Sequence, residues 1–97
     1  MRTIYLIAYD ICCDKRYRKI YPLMCGAGEP LQYSVFRCPM TAVELQLLKD
    51  KIWPLLKLDE DRMMIVDLGP SNGRGRQCIE CWGQPLVSPA VPKAAIV

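Results

Sequence analysis

The sequence predicts an α+β fold, a ferredoxin-like βαββαβ sandwich with an extra C-terminal strand, assembled as a homodimer. Two apolar runs, Thr3–Tyr9 and Met63–Leu68, read as central strands covered on both faces. Two stretches between them carry apolar residues at helical spacing. The segment Leu31–Cys38, lying between those helical stretches, alternates with period two around aromatic and β-branched residues. Strand, helix, extended pair, helix, strand describes a split βαβ with both helices on one sheet face. Such a sheet leaves its second face bare. Hydrophobic residues on both sides of its central strands therefore predict a second copy covering that face.

The first run, Ile4 to Tyr9, stops at Asp10, which falls at the strand's carboxyl end. Asp14 suits the N-cap of a helix reaching about Ala27, with Tyr17, Ile20, Met24 and Ala27 in one stripe. Gly26 and Gly28 supply the stop signal, and Pro22 falls inside, where it is expected to kink or break the helix. Leu31–Cys38 is one bent strand or two short ones meeting near Ser34, ended by Pro39. Thr41 to Glu44 fits a capping box, and Val43, Leu47, Leu48, Ile52, Leu55 and Leu56 continue at helical spacing to about Leu56, with Pro54 in a frayed last turn. Asp59-Glu60-Asp61 is a loop, Gly69 to Gly73 a turn cluster, and Gln77–Trp82 a fifth strand. Residues 1–82 thus form one domain, and 83–97 a proline-rich tail.

The chain has 97 residues, enough for one core that buries roughly 60–65% of the unfolded surface. An apolar fraction of 52% and a charged fraction of 24% exclude disordered and fibrous classes. No run approaches the ~20 apolar residues of a membrane span, and no secretory signal is recognisable, so the expected location is the cytoplasm. Six cysteines are accordingly read as reduced thiols. Histidine is absent, which removes Ser/His and Cys/His nucleophile pairs and mixed Cys/His zinc sites. Hydrolytic chemistry must then rest on carboxylates and a metal. The net charge of +3 gathers at the two ends: residues 1–40 hold six Lys/Arg against three Asp/Glu, and residues 73–97 three against one. That distribution is compatible with phosphate contacts.

Four segments carry a resemblance: Tyr5 to Ile11, Asp14 to Tyr21, Gly28 to Cys38 with its Gln32-Tyr33-Ser34-Val35-Phe36 core, and Asp61-Arg62 through Asp67-Leu68-Gly69. Together with the Gly83–Pro85 close, they make the chain similar to the small CRISPR-associated endonuclease or endoribonuclease family, the second universal spacer-acquisition protein, which partners the CRISPR integrase. The likeness runs from residue 3 to about 84. Pro22 and the Cys12-Cys13 pair depart from the family's usual pattern. The resemblance implies a ferredoxin-like homodimer in antiviral defence. It also implies a magnesium ion held by the first-strand aspartates, double-stranded DNA along basic residues, and an integrase partner.

The residues themselves are compatible with that chemistry. Asp10 offers the hard oxygen that Mg²⁺ prefers, and two-fold symmetry would supply a second copy of it; the bland reading is a loop cap. Lys15, Arg16, Arg18 and Lys19 can neutralise phosphates or simply form a solvated helix face. Arg74 and Arg76 can reach a backbone phosphate or keep a turn soluble. Tyr9, Ser34 and Phe36 line the cleft by resemblance, with core packing and a bulge as the alternatives. Cys78-x-x-Cys81 has redox or zinc spacing, but a strand would project the two thiols to opposite faces, so they read as structural. The apolar end Ala94–Val97 suits docking on a partner, by resemblance the integrase; the bland reading is a floppy terminus or one packed on its own dimer mate. Three functions remain: a metal-dependent endonuclease, a non-catalytic DNA-binding scaffold that bridges integrase dimers, and a toxin-like ribonuclease of the same fold.

Overall fold

The computed structural model describes residues 1–86. In chain order it comprises β1 (Thr3–Asp10), α1 (Asp14–Ala27), β2 (Glu29–Gln32), β3 (Val35–Met40), α2 (Ala42–Ile52), a 3₁₀ turn at Trp53–Leu55, β4 (Arg62–Pro70) and a second 3₁₀ turn at Arg74–Arg76. The four strands form one antiparallel sheet in the order β2-β3-β1-β4, the split βαβ topology that the sequence predicts. No helix among the described residues is long and apolar enough to cross a membrane.

Strand alternation sorts side chains onto two faces. Ile7 and Tyr9 of β1 and Phe36, Cys38 and Met40 of β3 point to the helix layer, where Ile20 and Met24 of α1 and Leu45, Leu48 and Ile52 of α2 close the core. Leu6, Ala8, Val35, Val66 and Leu68 stay half-buried, and Met64 is 56% exposed. The register places Leu6, Ala8 and Val35 opposite residues of this outer set, so they share the face that no helix covers. Ile4 is buried because the Arg74–Arg76 turn folds over its end of the sheet. Gly75 makes that approach possible: a Cβ there would lie 2.7 Å from the Leu68 carbonyl oxygen and 3.2 Å from Ile4 Cβ.

α2 opens on the predicted capping box, with Thr41 Oγ1 accepting from the Glu44 N–H at 3.1 Å and Glu44 Oε1 accepting from the Thr41 N–H at 2.9 Å. Its expected last turn is the separate 3₁₀ turn that contains Pro54. The cap of α1 is Cys13, with Asp14 as the first helical residue. Pro22 does not break α1: both it and Arg18, whose carbonyl loses its partner, are exposed, so the group that the proline leaves unpaired is open to solvent. Leu31–Cys38 resolves into β2, a turn at Tyr33–Ser34, and β3. β3 continues through Pro39 to Met40, beyond the expected stop. β2 pairs with β3 only as far as Arg37, so Pro39 has a neighbour on one side only, where a missing N–H is tolerated.

The fifth strand expected at Gln77–Trp82 is absent from the sheet of the single chain. After β4 the Arg74–Arg76 turn packs against Ile4, and residues 77–82 pair with no strand of their own chain. The tail expected over 83–97 lies outside the described residues from 87 onward.

Candidate active site and nucleic-acid interface

Asp10 ends β1 on the open face, exposed and opposite Arg62 of β4 in the register. It belongs to no ion pair among the described residues. A shallow groove of about 260 Å³ runs beside it, lined by Ala8, Tyr9, Asp10, Ser34, Arg62 and Met64 among others. Ser34 reaches this place because the β2–β3 turn is tied down from two sides. Its carbonyl accepts from the Tyr9 N–H at 3.0 Å. The neighbouring Tyr33 carbonyl accepts from the hydroxyls of Tyr17 at 2.8 Å and Tyr9 at 3.2 Å.

The three residues expected to line the cleft therefore divide. Ser34 and Tyr9 border the groove, although the Tyr9 ring belongs to the core, stacked on Phe36 with centroids 6.1 Å apart. Burial pushes the Tyr9 phenol well above its usual pKa, and its proton is committed to the Tyr33 carbonyl. That removes Tyr9 as a free acid. Phe36 is fully buried under the helices and lines no cleft, because its register partner Ile7 faces the core.

The loop that follows Asp10 is held by a clamp for which sequence reasoning had no role. The Asp61 carboxylate, with its side chain fully enclosed, receives Arg16 in a bidentate pair: Nε to Oδ2 at 2.7 Å and Nη2 to Oδ1 at 3.0 Å. The same carboxylate accepts from the main-chain N–H of Cys12 at 3.0 Å and of Lys57 at 2.9 Å. The Arg16 guanidinium, helped by these two N–H groups, holds the Asp61 carboxyl well below the usual carboxylate range. Arg16 also donates to Glu60 at 2.9 Å. Its fork is thus engaged inside the protein, which corrects its placement among residues free to contact phosphate. Asp61 sits in the acidic loop that the sequence offers only as a turn; the Asp61-Arg62 pair in the quoted resemblance was the one signal pointing to it.

The remaining basic residues fall into two groups. Lys15, Arg18 and Lys19 are exposed on the first turns of α1, next to the Asp10 end of the sheet; Arg18 lies 3.0 Å from Asp14 in a pair exposed on both sides and of little strength. Arg74 and Arg76 lie at the Ile4 end, one β1 length away, roughly 23 Å by the rise per strand residue. One chain does not bring the two groups together. Beside Arg76 lies a larger groove of about 460 Å³ that also includes Arg2, Arg37 and Ser71, three residues absent from the sequence reading. Arg2 is paired with Glu44 at 2.9 Å, and Arg37 with Glu29.

No group of three or more His, Cys, Asp or Glu side chains able to hold a metal occurs among the described residues. One chain supplies Asp10 alone. All six cysteines are free thiols, as expected; Cys38 is buried, and burial pushes its thiol up to about 12.

Comparison with known proteins agrees with this geometry. The family model described as CRISPR associated protein Cas2 matches residues 1–74. A Synechocystis protein named CRISPR-associated endoribonuclease Cas2 3 is 32% identical over 82 residues, covering 84% of this chain and 86% of the relative. A Thermodesulfovibrio yellowstonii protein named CRISPR-associated endoribonuclease Cas2 2 is 42% identical over 72 residues, covering 74% and 78%. Among solved structures, a hypothetical protein from Thermus thermophilus superposes with a TM-score of 0.72 at 31% identity, covering 90% of this chain and 98% of that one. Streptococcus pyogenes Cas2 does so at 0.72 and 26%, covering 82% and 99%.

Proposed function

The chain belongs to the CRISPR-associated protein Cas2 family, and from that premise we propose that it is a metal-dependent endonuclease subunit of the spacer-acquisition machinery, working as a homodimer on double-stranded DNA beside the integrase. The observation that carries this reading is an exposed carboxylate that, among the described residues, belongs to no ion pair and stands at the rim of an apolar sheet face covered by no helix. A second copy packed on Leu6, Ala8, Val35, Met64 and Val66 covers that face, and a two-fold axis through it brings in a second Asp10.

Two aspartates from two chains fit Mg²⁺, a hard cation that takes one or two protein carboxylates and keeps several waters; a single chain does not. The paired Asp10 carboxylates would hold the ion, and the chemistry it would supply there is Lewis-acid polarisation of a phosphodiester and a more acidic water. The chain's own residues do the rest. The Arg16–Asp61 clamp fixes the loop after Asp10 and with it the carboxylate's position. Ser34 shapes the groove's wall, and Lys15, Arg18, Lys19, Arg74 and Arg76 neutralise backbone phosphates without reading bases. A second reading, cleavage of RNA, is favoured by the relatives' name, endoribonuclease. In a third reading the dimer only holds DNA for the integrase.

Replacing Asp10 by Ala separates these readings. Loss of Mg²⁺-dependent cleavage with unchanged dimer mass and duplex binding supports catalysis, and comparing DNA with RNA substrates decides between the first two. Cleavage that persists in Asp10→Ala refutes the site. If the wild type cuts neither substrate, the scaffold reading stands instead.

A further inference from the structure

Cys78 and Cys81 are both exposed thiols, three residues apart, in a segment without regular structure. The chain bends at Cys78, whose thiol points to the Gly75 carbonyl at 3.7 Å. This setting differs from the strand in which their sequence pattern would separate them. In an extended strand, residues i and i+3 have Cα atoms about 10 Å apart, whereas a disulfide holds its two Cα atoms at roughly 4.4–6.8 Å. A Cys78–Cys81 disulfide and a strand over residues 77–82 therefore exclude each other.

The strand has somewhere to go in a dimer. β4 is nine residues long and forms an outer edge of the sheet, so its outward N–H and C=O groups are unpaired there. Along its helix side runs an apolar groove of about 380 Å³ that includes Trp53, Leu56, Leu58, Met63 and Ile65; Trp53 is 66% exposed and Leu58 56%. The Arg74–Arg76 turn packs on Ile4 at the open face, so residues 77–82 set out from the face on which the second copy packs. Ile79 and Cys81 share one side of such a strand and match the groove in character, while Cys78 falls on the other side.

We propose that Cys78 and Cys81 form a reversible dithiol–disulfide site whose closure withholds residues 77–82 from the β4 edge of the second copy and so weakens the dimer. The inference rests on the dimer of the preceding section. The chemistry is thiol–disulfide exchange with a small-molecule disulfide. One cysteine thiolate attacks it to give a mixed disulfide and releases one thiolate. The other cysteine thiolate then displaces the second, closing the Cys78–Cys81 bond. The protein loses two electrons and two protons, and the disulfide becomes two thiols. Coupling is reciprocal: a dimer that takes Cys81 into the groove also protects the pair from oxidation.

The full chain, purified reduced and then equilibrated with oxidised glutathione, tests this. After alkylation and trypsin, peptide 77–93 holds both cysteines and no others. The expected product is that peptide, unalkylated and lighter by two hydrogens, with its yield falling as protein concentration rises. Sedimentation equilibrium should show the dimer dissociation constant raised about tenfold or more by oxidation. The Cys78→Ser variant, altered on the side away from the groove and unable to close the Cys78–Cys81 bond, should dimerise like the reduced wild type in both conditions. No linked peptide, or a linked peptide with an unchanged dissociation constant, overturns the switch while leaving the dimer intact. A reduced wild type that stays monomeric throughout overturns the dimer itself, and the switch with it.

Discussion

Replacing Lys15 and Lys19 together by Ala perturbs the proposed nucleic-acid surface without touching the fold. Both side chains are exposed on the outer face of α1 and belong to no ion pair among the described residues. In a two-fold dimer the double substitution removes up to about four phosphate contacts. With log K falling about 0.9 per contact against log salt, the slope should become shallower by about 3.6. Between roughly 50 and 200 mM salt, that removes about two decades of the salt-driven loss in affinity. Fluorescence anisotropy on two duplexes of unrelated sequence measures it, and both should respond alike because backbone contacts carry no base information. Arg16→Ala provides the contrast: its guanidinium is engaged by Asp61 and Glu60, so thermal stability should fall while the slope stays nearly unchanged. An unchanged slope in the double variant, or a change confined to one sequence, would refute the assignment of this helix face to phosphate.

Phe36→Ala should cost about 3–5 kcal/mol in urea unfolding, as for any fully buried Phe; a loss of activity at unchanged stability would return Phe36 to a cleft. Asp61→Asn should lower thermal stability at neutral pH. The Asp61 carboxyl is depressed in the folded protein, so its contribution is present above the ordinary carboxylate value near 3.9 and is lost as pH falls toward the folded value. Melting curves of wild type and variant should therefore converge in acid, and a gap that widens there would contradict the clamp. Labelling of the native reduced protein should modify Cys12 early and Cys38 only on unfolding, since burial keeps the Cys38 thiol protonated. Rapid native labelling of Cys38 would contradict its place in the core.

Local signals predicted the elements well where a single mechanism decided them. Thr41 and Glu44 cap α2 through hydrogen bonds spanning three residues, and the runs around Ile7 and Ile65 are apolar on both faces, of which one meets the helices and the other is the face that the proposed second copy would cover. Pro22 and Pro39 misled because the cost of a proline depends on which neighbour needed its N–H, and that is a tertiary fact. The same limit explains the site. Asp10 is legible as a strand-end carboxylate, whereas the partner of Arg16 lies 45 residues away in an acidic loop that reads as solvated. Phe36 joins the core only through its pairing with Ile7. Residues 77–82 read as a strand, but they join no sheet of their own chain.

The central claim, that one Asp10 from each of two copies completes a single metal site, is tested by titrating Asp10→Ala subunits into wild type by co-refolding and measuring Mg²⁺-dependent cleavage at constant total dimer. If both carboxylates are required, only wild-type homodimers cut, and an equal mixture should retain about one quarter of the activity. Retention of about one half, falling linearly with the wild-type fraction, would mean that each chain carries a complete site of its own.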